Sequence, residues 1–132
     1  MKRVTGVGGL FMKCKDPEAM YSWYEQHLGI KRDESQAVSF PWRDAEDPEK
    51  TGMTVWALFP EDTSYFNPSS SRFMMNFRVE NLEQALQGLR AEGVQVDDKV
   101  ESYEFGKFGW IMDPEGNRIE LWEPPTERKP LP

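Results

Sequence analysis

Histidine is nearly absent: the 132 residues contain one, His27. Any mechanism that needs two histidines from one chain is excluded, and no Ser-His-Asp or Cys-His constellation extends beyond the isolated His27 and Cys14. Cysteine is also single, which rules out an intrachain disulfide and fits a reducing cytoplasm. Positive charge is scarce, with 16 Lys and Arg against 23 Asp and Glu and a net charge of −7. Such a surface repels phosphate backbones, and without a basic stripe nucleic acid is not an expected partner. Long hydrophobic runs are missing too: none approaches the ~20 residues of a membrane span. Met1-Lys2-Arg3 is followed by no apolar segment, so a secretory leader is not expected, and a membrane is not an expected partner.

What is present is apolar and aromatic material for one domain with a real core, 38% hydrophobic and 13% aromatic. Val4 to Cys14 reads as a first strand, in which Gly6, Gly8 and Gly9 do not fit a phosphate loop because no helix opens directly after them. Asp16-Pro17-Glu18 starts a helix, with Asp as N-cap and Pro at the first helical position. The spacing of Ala19, Met20, Trp23, Tyr24, His27 and Leu28 predicts its buried stripe, and Gly29 ends it. His27 falls in the last turn, where it suits the helix dipole better than a ligand role. Three strands are expected next, Ile30 to Asp33, Val38 to Trp42 and Met53 to Phe59, with a polar loop over 43–52. Residues 61–70 form a linker whose embedded Tyr65 and Phe66 would pin it to the body or cover a pocket mouth.

Phe73 to Val79 reads as the next strand, and Asn81 with Gln84 as the capping box of a second helix. Leu82, Ala85, Leu86 and Leu89 are its buried stripe, and Gly93 closes it. Strands follow at Val94–Val96, about Val100 to Phe105, and Phe108 to Met112, and 125–132 is a loose tail. The two halves repeat this order at one offset: 64 residues separate Gly29 from Gly93, Gly52 from Gly116, Pro60 from Pro124 and Asp16 from Glu80. The chain therefore reads as two βαβββ modules, 4–60 and 71–124, in an α+β fold.

The most informative stretch is Trp110-Ile111-Met112-Asp113-Pro114-Glu115-Gly116-Asn117-Arg118-Ile119-Glu120-Leu121-Trp122-Glu123. It reads as strand, tight turn, strand, and its second arm puts Glu120 on the face opposite Ile119 and Leu121. This hairpin, together with Trp23-Tyr24-Glu25-Gln26-His27-Leu28-Gly29, resembles the vicinal oxygen chelate superfamily of glyoxalase I, bleomycin resistance proteins and extradiol dioxygenases. The resemblance implies a curled mixed sheet around a cavity, with the helices on its convex side. It also implies metal ligands on the first and last strands of each module. Carried over one by one, those positions fall on Gly9, Trp56, Met74 and Glu120, and only Glu120 can bind a hard divalent ion. No metal and no other cofactor are expected.

Strand alternation instead places Met74, Asn76 and Arg78 on the concave face with Phe11, Lys13 and Glu120, and Trp56, Trp110 and Trp122 are expected to border the same space. An apolar, aromatic cavity with a few polar groups is the usual make-up of a small-molecule site. The expected function is metal-free binding of a small, partly aromatic molecule, as in the bleomycin resistance branch. An enzyme of the lyase, isomerase or dioxygenase kind, with Glu120 as metal ligand or general base, is the alternative. Burial would raise the Glu120 carboxyl unless Lys13 or Arg78 compensates, so the direction of any shift stays open. A third reading is an interaction module with a filled cavity, in which Glu120 merely pairs with Arg78 or Lys13. By analogy with small relatives, a homodimer is expected.

Overall fold

In the computed structural model, which describes residues 2–125, the elements run β1 (Val4–Cys14), α1 (Pro17–Leu28), β2 (Val38–Arg43), β3 (Thr51–Pro60), β4 (Phe73–Val79), α2 (Leu82–Ala91), β5 (Glu101–Tyr103), β6 (Gly106–Met112) and β7 (Arg118–Glu123). The expected tail lies, beyond Pro125, outside the described residues. One seven-stranded sheet of order β2-β3-β1-β4-β7-β6-β5 contains all the strands, and it is curled, mixed and open. The centre is the antiparallel β1/β4 pair, flanked by the parallel pairs β1/β3 and β4/β7. Each half thus repeats the other about the β1/β4 seam.

The helices form where the sequence signals them. Asp16 Oδ1 accepts the Ala19 N–H at 3.2 Å, and Gly29 closes α1 in the left-handed region at φ 70°. Asn81 Oδ1 accepts the Gln84 N–H at 2.9 Å, and a second acceptor reaches α2 from the last strand, Glu123 Oε1 taking the Leu82 N–H at 2.8 Å. Both helices cover one face of the sheet. Under α2 lie Val79, Leu82, Leu86 and Leu121. Each such fully buried side chain stabilises the fold by about 1.5–3 kcal/mol relative to exposure. Under α1 lie Cys14, Tyr21, Val38, Trp56 and Leu58. The other, concave face carries its own cluster of Phe11, Phe66, Met74 and Trp110.

Four local expectations are corrected. Ile30 to Asp33 is not a strand: Asp33 accepts from the Ser35 N–H and hydroxyl and its own N–H donates to Ala37 O, so a tight turn takes up the backbone. The first half therefore supplies three strands and the second four. The α1 stripe is rotated: Met20, Tyr21 and Tyr24 face the sheet, while Trp23 and Leu28 are more than half exposed. Val94–Val96 contributes only an isolated bridge, Val96 to Ile111, and β5 is three residues long.

The fourth correction concerns the repeat. The helix caps Asp16 and Asn81 are 65 residues apart, whereas the glycines Gly29 and Gly93 are 64 apart, so the offset drifts. A one-residue slip inverts the face of a strand residue. Trp56 consequently does not share the face of Glu120 but packs under α1 on Tyr21 and Tyr24, with its Nε1 donating to Met12 Sδ at 3.2 Å. Val55 and Ala57 take the concave side instead.

Candidate functional site

One rung of the sheet assembles the polar centre. Residues Val55, Gly9, Asn76, Glu120 and Trp110 stand side by side across β3, β1, β4, β7 and β6. Side chains in register on neighbouring strands are ~5 Å apart at Cβ, close enough for direct hydrogen bonds. Asn76 Nδ2 donates to Glu120 Oε1 at 2.6 Å, and Trp110 Nε1 donates to Oε2 at 3.0 Å. The linker after β3 adds a third donor, the Tyr65 hydroxyl, also to Oε2. Tyr65 is held in place by stacking on Phe59, ring centroids 5.5 Å apart and nearly parallel, and by the fully buried Phe66 beside it.

Glu120 is only 2% exposed. Burial pushes its carboxyl above the ordinary glutamate range, against the pull of the three donors and of the Arg118 charge. Burial and the neighbouring Glu120 charge push the Tyr65 phenol well above its ordinary value, so the shared proton stays on Tyr65. The Asn76 amide is equally buried, and its Oδ1 has no hydrogen-bond partner among the described residues. Gly8 explains how the amide fits. A Cβ at Gly8 would lie 2.2 Å from Asn76 Oδ1, so only glycine leaves room there. The register of β1 against β4 shifts between Val7 and Gly9, and this bulge brings Gly8, rather than Gly9, to the floor of the site.

Above this floor opens a cavity of about 730 Å³. Phe11, Val55, Phe59 and Tyr65 wall one side, Phe108 and Trp122 the other, the last two stacked in parallel with centroids 6.0 Å apart. Tyr103 and Phe105, themselves stacked at 5.1 Å, stand at the mouth and are more than half exposed. Asp33 and Glu101 also border it. No Lys or Arg is among its described lining residues.

Of the residues expected at a site, Phe11, Asn76, Glu120 and Trp122 line the cavity. Met74 and Trp110 are buried in the cluster behind it with Phe11, and Trp110 reaches the site through its bond to Glu120. Lys13 lies over the Phe66 ring, its Nζ 5.2 Å from the centroid, away from the cavity wall. Arg78 lies between Trp42 and Trp122, 5.3 and 4.9 Å from their centroids, and lines a separate surface pocket at the end of the sheet. Trp56 is on the other face. The pairing of Glu120 with Lys13 or Arg78 is not what the structure shows; its partners are Tyr65, Asn76 and Trp110. Phe108 was readable from its place two residues before Trp110 on one strand. The part Tyr65 plays at Glu120 was not, since it depends on the path of a linker.

The sequence matches the family model of the Glyoxalase/Bleomycin resistance protein/Dioxygenase superfamily over residues 7–121, and the chain belongs to that superfamily. Among solved structures it is similar to methylmalonyl-CoA epimerase from Mycobacterium tuberculosis at 19% identity and a TM-score of 0.58, covering 96% of this chain and 92% of that one. A methylmalonyl-CoA epimerase in complex with methylmalonyl-CoA and NH4+ aligns at 17% identity and a TM-score of 0.68, over 96% and 99% of the two chains. A superfamily member from Vibrio splendidus 12B01 aligns at 15% identity and 0.54, over 89% and 97%. At these identities the likeness establishes the fold. No curated protein matches the chain.

The superfamily's metalloenzymes imply a divalent ion at Glu120, and the residues present do not fit one. Gly8, Gly9, Phe11, Val55, Ala57 and Met74 hold concave positions of β1, β3 and β4 around the carboxylate and offer no hard donor, so beside Glu120 the rung supplies only the Asn76 amide oxygen. Glu120 Oε2 already accepts two hydrogen bonds. Among the described residues no three His, Cys, Asp or Glu side chains gather around a common point. A catalytic ion normally takes three protein ligands and an open position.

Proposed function

We propose that this protein binds a small, partly aromatic molecule in the concave cavity and that Glu120 serves there without a metal. The observation that carries the reading is the hydrogen-bonded carboxylate: Tyr65, Asn76 and Trp110 occupy Glu120 from the protein itself, at the floor of an otherwise aromatic cavity. A polar anchor in an apolar wall is how small-molecule sites fix orientation. The test is elemental analysis with native mass spectrometry of protein purified without chelator. The expected outcome is far less than one transition-metal ion per chain and an organic adduct on a fraction of molecules. One tightly held ion per chain would overturn the reading.

A second reading is favoured by one observation, a carboxyl buried at the cavity floor and bonded to the Tyr65 hydroxyl, where burial raises it above the ordinary glutamate range. An isomerase could use Glu120 to take a proton from a carbon next to a carbonyl. The epimerase neighbours fit that chemistry. Their coenzyme A ester does not suit this cavity, because its phosphates would meet Asp33 and Glu101 and no described Lys or Arg on the wall. Proton exchange into a bound carbonyl compound, followed by NMR in heavy water, separates an isomerase from a binding protein.

The cytoplasmic placement rests on the single, buried and free Cys14. The homodimer is supported by the open sheet, whose edge strands β2 and β5 carry the half-exposed Phe40 and Tyr103. Light scattering should give twice the 15.4 kDa of the chain, and a monomer mass at micromolar concentration would refute it.

A further inference from the structure

The hydrogen-bonding capacity left open among the described side chains at the cavity floor is that of acceptors. Asn76 directs its Nδ2 to Glu120 Oε1, which fixes the amide: turned over, its oxygen would face a carboxylate oxygen at 2.6 Å. Its Oδ1 is therefore held as an acceptor, buried and without a partner. Glu120 Oε1 accepts from Asn76 alone among the described residues, so one of its two lone pairs is left. The donors nearby are spent. The Tyr65 hydroxyl goes to Glu120, the Tyr103 hydroxyl to Glu101 at 2.6 Å, the Ser39 hydroxyl to Asp33 at 2.9 Å and the Trp122 Nε1 to Phe105 O at 2.8 Å. Lys99 faces Glu101 at 2.7 Å but is outside the described lining, and Arg118 is turned to Asp97.

We propose, resting on the binding reading above, that the ligand is a planar aromatic molecule carrying a nitrogen with at least two N–H donors, an amidine, amino-heterocycle or ammonium group, seated on Asn76 Oδ1 and Glu120 Oε1. A buried acceptor without a partner costs free energy that only a donor recovers. A cationic donor also offsets the buried carboxylate. The ring would lie along the Phe108 and Trp122 faces, whose π-systems favour a positive edge or cation. A ligand carboxylate or phosphate at the floor would meet acceptors and negative charge only.

The experiment is titration calorimetry with 2-naphthamidine, 2-naphthamide and 2-naphthoate, three compounds of nearly one shape and different charge. The amidine should bind at least about tenfold tighter than the amide, the size of one charge-assisted hydrogen bond, and the naphthoate should give no binding heat. Glu120→Gln, checked for an unchanged fold by circular dichroism, should reduce the amidine to the affinity of the amide. If naphthoate binds as tightly as the amidine the donor assignment is overturned, and if the amide does the preference for a cation is overturned, while binding in the cavity stands in both cases. If none of the three binds, both fall. If Glu120→Gln leaves the amidine preference intact, the cation is read elsewhere and the assignment to this floor is wrong.

Discussion

Gly8→Ala tests the packing on which the site depends. The added Cβ would stand 2.2 Å from Asn76 Oδ1, 2.9 Å from Arg78 Cγ and 3.0 Å from Trp122 Cε3. The first contact is impossible, and the amide must swing out of the rung. Overpacking of this kind costs ~1–3 kcal/mol. Losing the charge-assisted bond from Asn76 to the buried Glu120 adds ~1.5–3 kcal/mol, less whatever the site recovers by relaxing. A net destabilisation of about 3 kcal/mol is the expected result. For a chain of this length that lowers the melting temperature by roughly 10 °C. The assay is thermal unfolding by circular dichroism, run as a double-mutant cycle with Asn76→Ala. Once the amide is gone, Gly8→Ala meets only the flexible Arg78 stem and the indole edge, and should cost no more than ~1 kcal/mol. The coupling between the two positions should thus be about 2 kcal/mol. Additivity within ~0.5 kcal/mol would mean that Gly8 and Asn76 do not share the space the structure gives them.

Two further outcomes follow from the same carboxylate. Its folded value is raised, so the stability it contributes is full below the ordinary glutamate range and declines as pH rises through the folded value. Glu120→Gln cannot titrate, so its melting temperature should gain on the parent's as pH climbs from ~4 to neutrality, and a gain that shrinks with pH would show that the three donors outweigh burial. Tyr65→Phe removes one of those donors, which should push the Glu120 carboxyl still higher, steepen that pH dependence and cost ~1–3 kcal/mol. An unchanged pH profile in the phenylalanine variant would mean that the linker tyrosine does not bind the carboxylate in solution.

Local chemistry determined much of this protein by sequence alone. Asp16 and Asn81 start helices and Gly29 ends one, because capping satisfies backbone groups within a few residues. Alternation alone placed Glu120 opposite Leu121, and Asn76 opposite Phe77, because the side-chain period of a strand is two wherever the strand lies. The scarcity of histidine excluded a two-histidine metal site before any coordinates. Tertiary structure decided the rest, for reasons of register. The face of Trp56 turned on a drift of one residue between the halves, and Gly8 displaced Gly9 because of a bulge set by pairing with β4. Lys13 and Arg78 follow the right alternation yet reach Phe66, Trp42 and Trp122, because long side chains settle where aromatic faces lie and not where the strand points them. Tyr65 meets Glu120 across 55 positions of chain, through a linker whose path only the packing of Phe66 and the stacking on Phe59 fixes. No periodicity in the sequence encodes a contact of that kind.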